Sequence, residues 1–327
     1  MLGQLWLVLL LSGGPETPAP RGAGATSAFP LYSKWIREYR KKTQIKVDYQ
    51  AIGSRGGIEQ IVKGAIDFGA TESPIGDAEA QAVPGGLVHV PVAVAGVSIV
   101  HHPDGLPADL RLSADLLADI WRGKIRRWND RRIATENPRA KLPALDIVPI
   151  HGQGGGTFVF TDYLSSVDAG WKASPGRGTK VDFPAGKQAI GADRIAEAVK
   201  ATPGAIAYLD AAYAHHYKLP TVAVKNRAGK YVGPTNEALA AAAATAAGDD
   251  LRVSIVNAAG AASYPIASFT YAVLWRKPKE VARSQATVAF LRWATHDGQK
   301  ANAVLRYTAL PAAVVTKVDA VLSSIAP

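Results

Sequence analysis

The chain is predicted to be an α/β protein with largely parallel sheets, and three observations predict it. Short apolar segments rich in β-branched residues alternate with longer stretches whose apolar residues recur at helical spacing. The Val/Ala-rich run Leu87–Val100 stays apolar on both faces past Pro91, a pattern that fits a central parallel strand. Glycine-rich turns at Gly22–Thr26 (GAGAT), Gly53–Gly57 (GSRGG) and His151–Thr157 (HGQGGGT) each lead into a helical pattern. Ligands of such sheets sit beyond the carboxyl ends of strands, where helix N-termini converge. Free N–H groups there suit a small anion, so solute capture is the first functional reading.

The elements follow in order. Ala28–Lys42 reads as a helix, with Phe29, Tyr32, Trp35, Ile36 and Tyr39 as its apolar stripe and Thr26 or Ser27 as its cap. Lys46–Ala51 has strand character, and the second glycine turn opens a helix over Ile58–Lys63. Ile66–Ala70 is a short buried strand, and Leu87–Val100 a long one interrupted by Pro91 and Gly96. A loop over His101–Asp109 precedes the helix Ser113–Trp121; Trp121 and Trp128 flank a basic turn as packing anchors. Asp146–Ile150 is a strand stopped by the third glycine turn, and Thr157–Leu164 begins the next helix. Ile190–Val199 is a helix, Ala205–Leu209 a strand, and a helix follows around Asp210–Tyr217. Asn236–Ala247 is helical because alanine is the best helix former. Ala272–Trp275 is a strand, and Pro278–Thr295, Ala301–Tyr307 and Ala312–Leu322 are helices.

With 327 residues, 48% of them hydrophobic, the chain is long enough for two domains. Its net charge of +10 agrees with an anionic ligand, but the charge is scattered and there is no nucleic-acid module or basic tail. Cysteine is absent, which excludes disulfides, thiolate metal sites, a Cys nucleophile and a Cys-anchored lipoprotein. The apolar run Leu2–Leu11 is too short to span a bilayer; residues 1–20 read as an export segment, or as a misassigned start. The pairs His101–His102 and His215–His216 make poor chelates, because adjacent side chains diverge on a strand and on a helix. Neither a metal site nor a cofactor is therefore expected.

GAGATSAFPLYSKW (Gly22–Trp35), YQAIGSRGGIEQI (Tyr49–Ile61) and DFGATESP (Asp67–Pro74) resemble the opening blocks of periplasmic phosphate-binding proteins of ABC importers. IWRGKIRRWND (Ile120–Asp130), GGGTFVFTDYL (Gly154–Leu164), PGAIAYLDAAYA (Pro203–Ala214) and YTALP (Tyr307–Pro311) continue the resemblance in the same order. It implies a two-lobed clamshell with mixed, mostly parallel sheets joined by two hinge strands. Lobe 1 would be residues 21–100 plus 266–327 and lobe 2 residues 101–265, with crossings near Val100 and within Ala261–Thr270. It also implies a soluble periplasmic or extracytoplasmic monomer. That protein would deliver phosphate to an ABC permease with a separate ATPase and perform no chemistry.

Carried over by position, Thr26, Ser54, Gly156 and Thr157 match the family's hydroxyl and N–H donors. Other positions depart. Ser27 replaces an aromatic, Glu72 the aspartate that accepts a proton from phosphate, and Arg55 a small residue. Counting back from Gly156–Thr157 without a gap, His151 stands for the arginine that pairs with the anion. Gln153 then stands for its orienting aspartate and Gly155 for a serine. His151 when protonated, or Arg55 from the opposite lobe, would supply the missing positive charge. The ligand is thus expected to be phosphate or a related oxyanion, with an organic phosphate or other small solute as the alternative. A noncatalytic scaffold and a phosphoester hydrolase using Ser54, Glu72 and His151 are the rival readings.

Overall fold

The computed structural model describes residues 18–102 and 104–325; the proposed export run Leu2–Leu11 lies outside them. Eleven strands are found among the described residues. They are β1 (Arg21–Gly24), β2 (Asp48–Ala51), β3 (Phe68–Thr71), β4 (Leu87–His101), β5 (Arg111–Leu112), β6 (Val148–His151), β7 (Lys187–Gln188), β8 (Ala205–Asp210), β9 (Ala223–Lys225), β10 (Tyr231–Val232) and β11 (Ala267–Trp275). Eight of them form one sheet in the order β2-β1-β3-β11-β4-β8-β6-β7, and β10-β9-β5 form a small second sheet.

The large sheet is parallel in its two wings and antiparallel across its middle. β1 pairs parallel with β2 and β3, and β6 pairs parallel with β7 and β8. β11 runs antiparallel to β3 and β4, and β4 antiparallel to β8. This corrects the expectation for Leu87–Val100, which is central but not parallel. Every residue of β4 is buried, and an apolar run of that kind reports cover on both faces whatever the strand direction. β4 pairs with β11 from Leu87 to Gly96 and with β8 from Val97 to His101, so one strand serves both wings.

In each wing a parallel strand ends where a helix begins: Gly53–Val62 after β2, Gly155–Val167 after β6. The second glycine turn is itself the first turn of its helix rather than a lead into Ile58. Close backbone approach explains Gly57 in that turn and Gly24 in the first. A Cβ on Gly24, whose φ is 146°, would overlap the Ala70 carbonyl.

Trp35, Trp121, Trp128 and Trp171 are fully buried. Trp121 packs on Phe160 and Tyr208, and Trp128 donates Nε1–H to the Gly204 carbonyl at 3.0 Å, so both act as the expected anchors. Ala301–Tyr307 is not a helix but part of two 3-10 turns, Asp297–Ala301 and Ala303–Leu305, stopped by Arg306 at φ 61°. Strand β1 escaped the sequence pattern because RGAG has no β-branched residue. β5, β7, β9 and β10 span two or three residues each, too short to show a period.

His89 on β4 accepts the Ile75 N–H at 3.0 Å through Nε2, which requires neutral imidazole. Burial, with a smaller contribution from Arg252, pushes its pKa from 6.5 down to about 4. The unfolded chain therefore binds this proton first as pH falls. Stability from His89 is complete above pH 6.5 and is expected to be lost progressively down to about pH 4. Urea midpoints measured across that range should fall less steeply for His89→Gln than for the parent protein.

Candidate functional site

Five strand ends converge on a cavity of about 250 Å³ between the two wings. Thr26 and Ser27 follow β1, Ser54 lies in the first turn after β2, and Glu72 follows β3. From the other wing come Gln153 and Gly154–Thr157 after β6, and Asp210 at the end of β8. The first N–H groups of helices Gly53–Val62 and Gly155–Val167 have no partner within their own helix, so they are available to a ligand.

Tyrosine hydroxyls fix the first turn. Tyr49 donates to the Ala25 carbonyl at 2.8 Å, Tyr213 to the Thr26 carbonyl at 3.4 Å, and Tyr307 to the Ser27 carbonyl. Tyr213 comes from the opposite wing and reaches across the cleft. Thr26 and Ser27 do not cap the following helix, whose N-cap is Ala28 with no side-chain bond. The Ser27 hydroxyl donates instead to Glu72 Oε1 at 2.6 Å. The buried Thr157 hydroxyl lies 2.9 Å from the Tyr208 hydroxyl, which accepts the Gly152 N–H at 2.9 Å. The wings meet closely at Gly155, where a Cβ would overlap Glu72 Oε2 and lie 2.9 Å from Ser54 Oγ.

Two comparisons of sequence bear on this cleft. Residues 12–297 match the model of the PBP superfamily domain. The phosphate-binding protein PstS of Xylella fastidiosa (strain 9a5c) is 39% identical over 309 residues, covering 93% of this chain and 84% of that protein. The chain belongs to the PstS phosphate-binding protein family. The PstS protein of Haemophilus influenzae is 36% identical over 303 residues, with 91% and 90% covered. The fold agrees: a periplasmic phosphate-binding protein, PfluDING, solved with phosphate at pH 8.5, has a TM-score of 0.73 at 20% identity, with 93% of each chain covered. The family that the seven sequence blocks resemble is thus the family found, and its clamshell is the fold observed.

Among the positions carried over from the PstS family pattern, the cavity gathers Thr26, Ser27, Ser54, Glu72, Gln153, Gly155, Gly156 and Thr157. It does not gather Arg55 or His151. Arg55 points outward, 79% exposed, and pairs with Glu59 at 2.8 Å one helical turn on. The His151 ring stacks on Phe183 at 4.6 Å, and its Nδ1 is buried without a partner among the described residues. Burial lowers the His151 pKa, which favours the neutral ring.

Asp210 is the site residue the sequence reading missed. It ends β8 as Glu72 follows β3, and PGAIAYLDAAYA carried the signal: an acidic residue between a strand and a helix. Burial raises the pKa of both carboxyls; the Ser27 bond opposes this at Glu72, and the Glu72 charge adds to it at Asp210. No Lys, Arg or His among the described residues lines the cavity. The site is a cradle of neutral donors with two acids, suited to holding a protonated oxyanion.

The Tyr213–Thr26 bond crosses the cleft, so it exists only when the wings are together. Tyr213→Phe is expected to weaken ligand binding about 2- to 10-fold, the size of one ordinary hydrogen bond. Titration calorimetry checks this; the melting temperature should not move.

Proposed function

We propose that this protein captures phosphate or a closely related oxyanion in the cleft and delivers it unchanged to an ABC permease powered by a separate ATPase. The observation that carries this reading is the convergence of two helix N-termini, the Ser27, Ser54 and Thr157 side chains and Glu72 on one cavity. Burying an anion without such donors would cost several kcal/mol or more. Membership of the PstS family and the name of the Xylella relative support the same ligand.

This reading divides the chain into two lobes, residues 21–100 with 266–327 and residues 101–265, and the two wings support it. β4 passes from one to the other where its pairing changes at Gly96 and Val97. The return crossing is Tyr264–Ile266, tied to Val97 by the Tyr264 hydroxyl at 2.9 Å and the Ile266 carbonyl at 2.9 Å. Ligand favours the closed arrangement because donors from both lobes reach it only there. Among the described residues no helix is long and apolar enough to cross a membrane, and no group of three or more His, Asp or Glu is placed to hold a metal. Work as a soluble monomer in the periplasm or another extracytoplasmic space is part of this proposal.

A specific observation favours a second reading, capture of an organic phosphate: Ile52, Ile190, Ala192 and Ile195 form an apolar wall beside the donors. Titration calorimetry with phosphate, arsenate, sulfate and a phosphate monoester at pH 5.5 and 8 decides between them. Saturable phosphate binding without turnover is expected. Preference for the monoester would move the ligand to the second reading, its hydrolysis would make the protein an enzyme, and no saturable binding of any of the four would leave a scaffold.

A further inference from the structure

We propose that Asp210 is a specificity-determining residue that pairs with Glu72 across the closed cleft and makes phosphate capture draw an additional proton from solution. This rests on the phosphate reading above and names the ionisation state that the same site selects.

The geometry is that of two acids brought together by closure. Glu72 follows β3 in one wing, Asp210 ends β8 in the other, and both line the same cavity at 3% and 8% exposure. Asp210 Oδ1 accepts the Ala212 N–H at 2.9 Å, and Glu72 Oε1 accepts the Ser27 hydroxyl at 2.6 Å. Both carboxyls line the cavity, and a carboxyl oxygen can accept from a P–OH or, when protonated, donate to a P–O⁻.

The groups facing this pair supply no compensating charge. Tyr213 on the helix after Asp210, Tyr49 on β2 and Tyr307 in the C-terminal tail all point hydroxyls into the same region. Each donates to a backbone carbonyl, and burial, the first cause in each case, raises all three pKa values, so they stay neutral. Asp193, which acts on Tyr213, adds only negative charge. His151 and Arg55 are directed elsewhere.

An anion that enters a cavity lined by two acids and, among the described residues, no cation meets like charge in a poorly screened space wherever those acids are ionised. Like-charged groups sharing one site resolve the conflict by keeping a proton. With Glu72 alone the closed complex would keep one such proton on the carboxyl or the ligand; with Asp210 it keeps another. The site then prefers the more protonated form of phosphate and weakens toward alkaline pH more steeply than a single-acid cleft.

The test is phosphate calorimetry in buffers of different ionisation enthalpy, from pH 6 to 8.5, on the parent protein and on Asp210→Asn. Asparagine caps a helix as well as aspartate does, so this variant keeps the Ala212 bond and removes only the ionisation. Comparison at equal pH cancels the titration of phosphate itself. The expected result is that proton uptake falls by about one near pH 8 and the affinity ratio between pH 6 and 8.5 shrinks about tenfold or more, since one proton changes affinity tenfold per pH unit. Glu72→Gln, which still accepts the Ser27 bond, should lower uptake as well. An unchanged proton count in Asp210→Asn with intact binding overturns the inference alone and leaves Asp210 as a helix cap. Absence of phosphate binding by the parent protein at every pH overturns the phosphate reading and this inference together. If Asp210→Asn melts early, Asp210→Ser, which also caps, is the second variant, and the same proton count decides.

Discussion

Gly155→Ala is expected to lower phosphate affinity roughly 100-fold or more while leaving the melting temperature within the spread of ordinary surface substitutions, about 0.5 kcal/mol. Gly155 begins the helix Gly155–Val167, where alanine is at least as good a residue as glycine, and its φ is not in the left-handed region. The backbone gains nothing from glycine there. What requires it is the other wing: the added Cβ would overlap Glu72 Oε2 and crowd Ser54 Oγ. Glu72 is itself held by Ser27 and buried, so it has little room to retreat. The overlap exists only when the wings are closed, so it penalises that state and spares the open one. An overpacking cost of about 3 kcal/mol in the closed state alone is a factor of roughly 100 in ligand affinity. Calorimetric titration with phosphate alongside thermal melting is the measurement; undiminished affinity would remove this contact from the closing surface.

Gly57→Ala should instead cost the fold, by about 3 kcal/mol, and the site with it. Its Cβ would lie 2.6 Å from the Ala23 carbonyl oxygen and from Gly24 Cα, and 3.1 Å from the Ala70 carbonyl oxygen. All three are backbone atoms of β1 and β3, and backbone cannot rotate out of the way. Relief requires the helix Gly53–Val62 to lift from the sheet, which would carry Ser54 out of the cradle. Gly56→Ala is the control one residue away, since its Cβ would meet only the Ile52 side chain, at 3.1 Å. A urea midpoint lowered in Gly57→Ala and preserved in Gly56→Ala is the expected pattern; equal midpoints would refute the close-packing account.

Legibility in the sequence followed the range of the interaction. The helix over Phe29–Thr43 was readable because Tyr32, Trp35 and Tyr39 recur at helical spacing and all three are buried. The turns were readable because glycine at a strand end has few other uses. The direction of β4 was not, since a strand covered on both faces looks the same whether its neighbours run with it or against it. Asp210 was passed over for a related reason. In the chain it stands more than fifty residues from His151–Thr157 and well over a hundred from Glu72, and only the folded sheet sets those strand ends side by side.

Arg55 and His151 illustrate the limit from the other side. Position in the motif suggested each as the replacement cation, but the helix turns Arg55 outward to Glu59 and aromatic packing holds the His151 ring against Phe183. The sequence by itself determined the family, the α/β class and the cradle built by GAGAT, GSRGG and GGGT, because backbone donors at glycine turns depend on neighbours a few residues away. Only the tertiary structure decided the charge of the cleft. That depends on which side chains from distant strand ends share one buried volume, and there two acids face each other with no cation among the described residues that line it.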